Sequence, residues 1–195
     1  MAERLRRQLA QNAELFGVAL TQEKVPNRFD TRFGAPKNVK IGETFPSREA
    51  VREAGLHNST FAGIAHHNGF AFAIVLSGRY EDDKDGGEEI LYTGTGGQSD
   101  SFNNPGPQVQ DQTFEHDANK ALQNSCKHKV PIRVIRKDSH YSKYAPGLAK
   151  GNNQIYRYDG LYSVTECFED KGASGYKICR FRLVRCPDQP PLPTS

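Results

Sequence analysis

The residues best able to do chemistry lie in one stretch of the chain, around an acidic run at residues 81–89. A strand pattern ends at Leu76 and a glycine turn follows it, while a second strand pattern after the acidic run enters the glycine-rich segment 94–97. Tyr80 and Tyr92 flank the loop between the two strands. Convergent carboxylates bind metal ions and glycine turns expose N–H groups to phosphates, so this stretch is the first candidate for a site.

Three interpretations of this stretch stay open on the residues alone. A metal-dependent nuclease would use the acidic loop, but it would also need a Lys or His at set spacing, which is not identifiable. A phosphate-binding loop would use residues 94–97, but no Walker-type Gly-Lys-Ser/Thr follows them. The third interpretation is a solvated acidic hairpin with two core tyrosines.

Composition adds limits but no function. The chain has 195 residues, of which 36% are hydrophobic, and a net charge of +3, which allows one good core and does not by itself indicate nucleic-acid binding. Residues 120–150 carry six Lys and two Arg against one acid, so they form a candidate phosphate-facing surface. The four cysteines form no C-x-x-C motif, and no apolar run approaches the roughly 18 residues of a membrane span. We expect a soluble, intracellular protein.

The elements that must position these residues are short. Helices are predicted over residues 3–16, 47–54 and 113–124, the second beginning at a Ser47 cap. Six strands are predicted: 60–65, 70–76, 90–93, 132–136, 162–168 and 176–185. Strands with few helices predict an α+β fold with a curved, antiparallel-rich sheet. The long loops 94–110 and 143–155 are expected to be binding elements or mobile segments.

Four motifs together resemble one family, the SRA (SET and RING associated, or YDG) domain. They are Tyr80-Glu81-Asp82-Asp83, Tyr92-Thr93-Gly94-Thr95-Gly96-Gly97, Ser142-Lys143-Tyr144-Ala145-Pro146 and Tyr158-Asp159-Gly160. The resemblance covers about residues 30 to 185 and implies a crescent-shaped, twisted β-barrel with flanking helices, SRA-like and PUA-like. It implies an N-terminal helix and flank at 1–29, an SRA domain at 30–186 and a disordered proline-rich tail at 187–195.

The resemblance also implies a pocket that holds a 5-methylcytosine flipped out of duplex DNA. Tyr80 and Tyr92 would sandwich the base, and Asp83 would accept a hydrogen bond from its N4 amino group. Thr93 would add a hydroxyl contact, and Thr95 would lie near the 5-methyl group. Backbone N–H groups of the Gly78-to-Tyr80 turn and of the region of residue 83 would supply donors, and Ser77, Gly78 and Arg79 would belong to the pocket. No catalytic residue, metal or cofactor is implied, so we expect a binding protein and not an enzyme.

Other residues would contact the rest of the duplex. Phe61 and Ala62 would fill the gap left by the flipped base, while Asn103 and Asn104 would lie on the second inserting loop. That loop, residues 98–110, has no Arg or Lys where family members that select hemimethylated CpG carry an arginine finger, so a hemimethyl preference loses support. Phosphates would be bound by Arg133, Arg136, Lys143 and Lys150, although these residues equally fit an ordinary wet basic face. The Tyr158-Asp159-Gly160 triplet is expected to be a structural turn.

The expected partner is double-stranded DNA containing 5-methylcytosine, with a DNA methyltransferase or chromatin proteins as further partners and no membrane. The location implied is the nucleus, or the bacterial cytoplasm for a prokaryotic chain. An alternative is the recognition module of a modification-dependent restriction endonuclease or of a histone-modifying enzyme. A domain that kept the fold and lost the pocket is a third possibility.

Overall fold

A computed structural model describes residues 24–27, 29–78, 80–99, 106–140, 142–147 and 154–193. The helix predicted at 3–16 lies outside the described residues. So do four of the predicted site residues: Arg79, Asn103, Asn104 and Lys150.

Eight strands form one sheet in the order β2-β3-β6-β7-β8-β5-β4, with β1 paired to β7. The strands are β1 Thr44–Phe45, β2 Ile64–His67, β3 Phe70–Leu76, β4 Lys84–Asp85, β5 Glu89–Thr93, β6 Ile132–Lys137, β7 Tyr156–Lys171 and β8 Lys177–Arg185. All pairs are antiparallel except β3 with β6. The two helices in the described part of the chain are α1 Arg48–Glu53 and α2 Asp117–His128. The antiparallel-rich sheet is confirmed, whereas the described strands leave the sheet open at β2 and β4 and do not confirm a closed barrel.

Strand β3 carries the core on both of its faces. Its sequence FAFAIVL is buried throughout, as a strand covered on two sides requires. On one side, Ile74 packs with Leu122 of α2 and with strands β5 and β8. On the other side, Phe72 packs with Val51 of α1. Each helix therefore covers one part of the sheet.

The helices follow their caps more closely than their apolar pattern. Helix α1 begins as predicted, because Ser47 Oγ accepts a hydrogen bond from Ala50 N at 3.1 Å. Helix α2 begins four residues later than predicted, after the His116 cap. Phe114 belongs to the apolar stripe but precedes the helix, and its ring packs edge-on against Phe181 with centroids 5.8 Å apart. The helix-like apolar spacing thus begins before the first residue of the observed helix.

The Tyr158-Asp159-Gly160 triplet lies inside β7 and not in the predicted turn. Val134 pairs with Gly160 and Ile135 with Tyr158, so Asp159 is the extra residue of a β-bulge. Its carboxylate is fully buried and accepts from Arg136 Nη1 at 2.8 Å and from Arg157 Nε at 2.6 Å. The triplet is structural, as expected, but it acts by directing a carboxylate into the core.

The beginning of the proline-rich tail is packed on the sheet. The Gln189 side chain accepts from Leu161 N at 2.7 Å and donates to the carbonyl oxygens of Leu161 and Cys186 at 2.8 and 2.9 Å. Arg185 donates to the Pro190 carbonyl at 2.7 Å. The prediction of a disordered tail from residue 187 is therefore wrong for its first residues. Prolines cannot extend the sheet, but the Gln189 side chain can form hydrogen bonds with the backbone of Leu161 in β7.

Replacing Gly160 with alanine is expected to destabilise the protein by about 2 to 3 kcal/mol. Gly160 has a φ of +104°, and a Cβ there would lie 2.5 Å from Gln189 Oε1 and 3.1 Å from Ile41 Cδ1. Gly175→Ala is the matched control, because Gly175 has a φ of +87° with no atom within 4 Å of a Cβ. Urea unfolding should show a clearly larger loss for Gly160→Ala, and equal losses would contradict the contact with the tail.

Candidate nucleic-acid interface

A cavity of about 430 Å³ opens beside the acidic loop, at the ends of strands β3 and β6. Its wall is formed by Leu76, Gly78, Tyr80, Glu81, Asp83, Asp85, Arg136, Lys137, Ser139, Ser142 and Ala145. Three of the predicted pocket residues are in this wall: Gly78, Tyr80 and Asp83. The size lies within the usual range of small-ligand pockets, about 300–1,000 Å³.

Asp83 presents one oxygen that has no partner. Its Oδ1 accepts from Thr93 N at 2.8 Å, and its own N–H donates to the Tyr80 carbonyl at 3.1 Å in a turn. Its Oδ2 is closed to solvent and has no hydrogen-bond partner among the described residues. Burial raises the pKa of the carboxyl to about 7, against the opposing effects of the Thr93 hydrogen bonds and the Arg180 charge. Oδ2 is therefore an acceptor for which the described residues supply no donor.

The two tyrosines occupy different environments. Tyr80 is half-buried and belongs to the cavity wall. Tyr92 is 2% exposed and packs in the core that lies between the sheet and α2. Burial raises the pKa of the Tyr92 hydroxyl, and the nearby Asp83 and Tyr80 groups raise it further. The Tyr92 hydroxyl therefore lies near the site. Tyr92 does not line the cavity here, and its stacking role stays a prediction.

Thr93 and Thr95 support the loop from behind the cavity wall. Thr93 is 1% exposed, and its Oγ1 accepts from Arg180 Nη1 at 2.8 Å. The Thr95 peptide is held by Asn119 of α2, whose Oδ1 accepts from Thr95 N and whose Nδ2 donates to Thr95 O, both at 2.9 Å. Neither threonine is part of the cavity wall, and nor is Ser77. Their proposed contacts with a base stay predictions.

An exposed aromatic residue lies on a firmly held loop close to Tyr92. Phe61 is 75% exposed. Ser59 Oγ accepts from the backbone nitrogens of Phe61 and Ala62 at 3.1 and 3.0 Å. The Arg48 guanidinium donates to the carbonyl oxygens of Ser59 and Ala62 at 2.8 and 2.6 Å. The apolar ring is therefore presented to solvent by a preorganised backbone, as an inserting side chain requires.

This loop is adjacent to the site. Gly63 follows it directly, and a Cβ on Gly63 would lie 2.8 Å from the Tyr92 hydroxyl oxygen. The sequence analysis singled out Phe61 but missed Arg48. Nothing in the sequence indicates that the side chain of an arginine at the start of a helix donates to a loop.

Two of the four predicted phosphate-binding residues are buried, and that prediction is wrong for both. Arg133 is 1% exposed and donates to the carbonyl oxygens of Gly34, Gly55 and Thr31 at 2.8, 2.9 and 2.7 Å. Arg136 is fully buried and binds carboxylates, as described below. Every guanidinium nitrogen of both side chains donates inside the fold, and burial closes both groups to a phosphate.

Lys143 remains exposed, with its Nζ 5.1 Å from the centroid of the Tyr144 ring. Its phosphate contact stays a prediction. Lys137 lines the cavity and was not singled out in the sequence, since a lysine at a strand end is more often simply exposed.

A model of the SAD/SRA domain matches residues 32–189. The chain belongs to the SAD/SRA domain family.

Three similar proteins illustrate the family. The E3 ubiquitin-protein ligase ORTHRUS 5 of Arabidopsis thaliana is 40% identical over 164 residues, covering 82% of this chain and 25% of the ligase. The SUVH5 SRA domain, solved in complex with hemimethylated CG DNA, is 35% identical with a TM-score of 0.65, covering 83% of this chain and 98% of that one. The modification-dependent TagI restriction endonuclease is 36% identical with a TM-score of 0.70, covering 80% and 53%. The chain spans about a quarter of the length of the ligase.

Three motifs of this SAD/SRA domain meet in one buried network. Arg136 donates to Asp85 through Nε at 2.9 Å and Nη2 at 2.8 Å, and to Asp159 through Nη1 at 2.8 Å. Ser142 Oγ donates to Asp85 Oδ2, the oxygen that also accepts from Arg136 Nε, and Tyr144 packs on Gly87. The acidic loop, the Ser142-to-Pro146 segment and the bulge in β7 are thus joined beside the cavity. These segments are far apart in the sequence, but they contact one another in the fold.

The acidic loop of the SAD/SRA domain does not gather its carboxylates at one point. Asp85 is paired with Arg136, whereas Asp82 Oδ1 accepts from Ala173 N at 3.0 Å. Over the described residues, no group of three His, Cys, Asp or Glu side chains could hold a metal ion. None of the helices in the described ranges is long and apolar enough to cross a membrane.

Proposed function

We propose that this SAD/SRA domain binds 5-methylcytosine in duplex DNA by flipping the base into the cavity at Tyr80 and Asp83. The observation that carries the proposal is the buried, partnerless Asp83 Oδ2 in the wall of that cavity. Buried polar atoms in folded proteins nearly always have a hydrogen-bond partner, and an exception calls for a missing ligand. The exocyclic N4 amino group of cytosine is a donor of the right kind.

Groups that are already in place can offset the free energy that base flipping costs. Extruding a base costs a few kcal/mol of stacking and pairing, which stacking on an aromatic ring and hydrogen bonds to the base edge offset. Tyr80 supplies a ring, Asp83 the acceptor, and Gly78, with a φ of +66°, lines the same cavity. We further propose that the base stacks on Tyr92 as well, once binding exposes its ring, and that DNA lies along the concave face of a crescent-shaped barrel. The likeness to the SUVH5 SRA domain solved with hemimethylated CG DNA supports methylated CG sites as the target.

Competition binding with one duplex in four forms tests this function. The forms are unmodified, hemimethylated, fully methylated and hydroxymethylated, all at one stated salt concentration because phosphate contacts make affinity depend on salt. The methylated duplexes are expected to bind about fourfold more tightly than the unmodified one. Both bases offer the same N4 amino group, so the difference comes from burial of the 5-methyl group, which is worth about 0.8 kcal/mol. Equal binding of all four forms would refute the proposal.

Phe61→Ala is expected to weaken binding of the methylated duplex about three- to tenfold and to leave stability unchanged. The ring is 75% exposed, so its removal opens no cavity in the protein, but a DNA gap would lose its filling. Phe61→Leu, which keeps most of the apolar volume, should bind almost as well as the original protein. Anisotropy titrations measure both variants, and an alanine variant with full affinity would show that Phe61 stays outside the duplex.

We propose that the domain itself does no chemistry on the base. The relatives add a second candidate, because the TagI endonuclease and the ORTHRUS ligase are named as enzymes and each is longer than the matched region. In that case the chain would be the recognition part of a modification-dependent nuclease or chromatin-modifying enzyme. Incubation with methylated plasmid and Mg²⁺ tests whether the domain itself does chemistry, since cleavage would contradict a pure reader.

The domain boundaries and the location are also proposals. The packed Gln189 supports an SRA domain that extends from about residue 30 to the start of the tail, a few residues beyond the predicted end. The similarity to a plant ligase supports a nuclear protein that works with chromatin partners.

A further inference from the structure

Arg180 lies directly behind the cavity wall and joins the two segments that carry the site. It belongs to β8 and is 3% exposed. Its Nη1 donates to Thr93 Oγ1 of β5 at 2.8 Å and also to the Asp82 carbonyl in the acidic loop. One buried guanidinium therefore fixes the spacing between the loop and the strand, on either side of Asp83.

The contacts of Thr93 pass this effect on to Asp83. Arg180 occupies a lone pair of the Thr93 hydroxyl, which leaves the hydroxyl proton free to point elsewhere. The Thr93 backbone N–H donates to Asp83 Oδ1 at 2.8 Å, and the Thr93 side chain also acts to lower the pKa of that carboxyl. Arg180, Thr93 and Asp83 thus form a chain that holds Oδ1, while Oδ2 of the same cavity-wall side chain stays buried without a partner among the described residues.

The charges around Asp83 come from several elements. Arg180 on β8 favours its ionised form, whereas burial and Asp82 in its own loop oppose it. The Tyr92 hydroxyl of β5 faces the same carboxylate, and Asp170 of β7 lies 4.0 Å from Arg180 Nε. The remaining charged groups line the cavity: Glu81, Asp85, Arg136 and Lys137. Arg180 is the cation that acts on Asp83 from the protein side of the wall.

We propose that Arg180 is a positioning residue that favours the ionised form of Asp83 and fixes its place in the cavity wall, so that the pocket accepts 5-methylcytosine and rejects thymine. The inference rests on the proposed function. The two bases have the same ring size and the same 5-methyl group, and they differ at position 4, where cytosine has a donor amino group and thymine an acceptor oxygen. An ionised carboxylate can only accept, and it repels the thymine oxygen. A protonated carboxyl can donate to that oxygen, and discrimination is lost.

Binding of two duplexes as a function of pH tests this role. They carry 5-methylcytosine or thymine opposite the same guanine, and their affinities are measured between about pH 6 and pH 8.5, around the Asp83 pKa of about 7. The preference for 5-methylcytosine should fall as the pH drops through this range, because Asp83 becomes protonated. In Arg180→Met the midpoint should move up by about one pH unit, which at neutral pH reduces the preference up to about tenfold. Arg180→Lys keeps the charge and should shift the midpoint less.

Thr93→Val removes the hydroxyl link and keeps both the backbone N–H and Arg180. It should shift the midpoint in the same direction by a smaller amount, and it tests the chain if Arg180→Met does not fold. Midpoints equal to that of the original protein in the variants that fold would overturn the inference, as would an equal loss of affinity for both duplexes. If the original protein does not prefer the methylated over the unmodified duplex at any pH, the proposed function fails instead.

Discussion

Asp83→Asn is expected to remove the preference for methylated duplex, lowering the affinity for it by about 10- to 100-fold. The amide oxygen can still accept from Thr93 N, which places the amide N–H₂ group at the buried Oδ2 position. Two donors then oppose each other at the cytosine N4 position. Salt-sensitive binding to any duplex should remain, because it depends on phosphate contacts outside the pocket.

The same substitution is expected to make the protein more stable above neutral pH. Folding raises the pKa of Asp83 from an ordinary 3.8 to about 7, so its proton is held more tightly in the folded state. The resulting stability is complete below pH 4 and is lost as the pH rises through 7, where the buried group must ionise. Asp83→Asn does not ionise, so its advantage in unfolding free energy should grow over this range, to at most about 4 kcal/mol.

Urea unfolding at pH values on either side of 7 measures this advantage, with Glu53→Gln on the exposed end of α1 as the control. A variant that keeps the methyl preference, or that is less stable than the original protein at high pH, would contradict the role of Asp83. A loss of binding combined with a gain in stability is the pattern expected of a group retained for function.

Asp159→Ala is expected to destabilise the fold by about 3 to 5 kcal/mol, the largest stability effect among these predictions. Its carboxylate is fully buried between Arg136 and Arg157, with contacts of 2.8 and 2.6 Å. Removing it leaves two buried guanidinium groups with less compensation, beside the cavity that Arg136 helps to line. Thermal or urea unfolding measures the loss.

The matched control is Glu166→Ala. Glu166 pairs with Arg182 at 3.1 Å, but the two side chains are 57% and 36% exposed, so the loss should be below about 1 kcal/mol. Comparable losses in both variants would mean that burial does not decide the strength of these pairs. Binding assays on Asp159→Ala should be made well below its unfolding temperature, so that loss of fold is not read as loss of contact.

Local patterns predicted the elements whose signals are local. Ser47 marked the start of α1, and the apolar run Phe70–Leu76 gave β3 at its observed bounds. Strand β7 was predicted too short, because Gly160 reads as a break in a strand whereas it lies at a bulge. Ile90 and Tyr92 lie on the same face of β5, and this spacing is typical of a strand with one buried face. The burial of Tyr92 could therefore be predicted from the spacing, but the pocket interpretation did not use it.

The errors concern charged residues whose partners are far along the chain. Arg136 lies 51 residues from Asp85 and 23 from Asp159, so nothing near it in the sequence shows that its charge is neutralised in the core. Arginines are mostly exposed, and that prior favoured a phosphate contact. Arg180 and the uncharged Asn119 were also missed, because their partners are likewise distant in the sequence. The four motifs correctly placed Tyr80 and Asp83 at one cavity, which composition alone could not do.

The most direct test of the central claim is the imino proton spectrum of a bound duplex with one 5-methylcytosine. Flipping breaks the pair with guanine, so saturating protein should abolish the imino signal of that guanine while the signals of distant pairs persist. With Asp83→Asn at the same concentration, the signal should remain. A guanine imino signal that survives in the saturated complex with the original protein would show that the methylcytosine stays paired, and it would contradict recognition by base flipping.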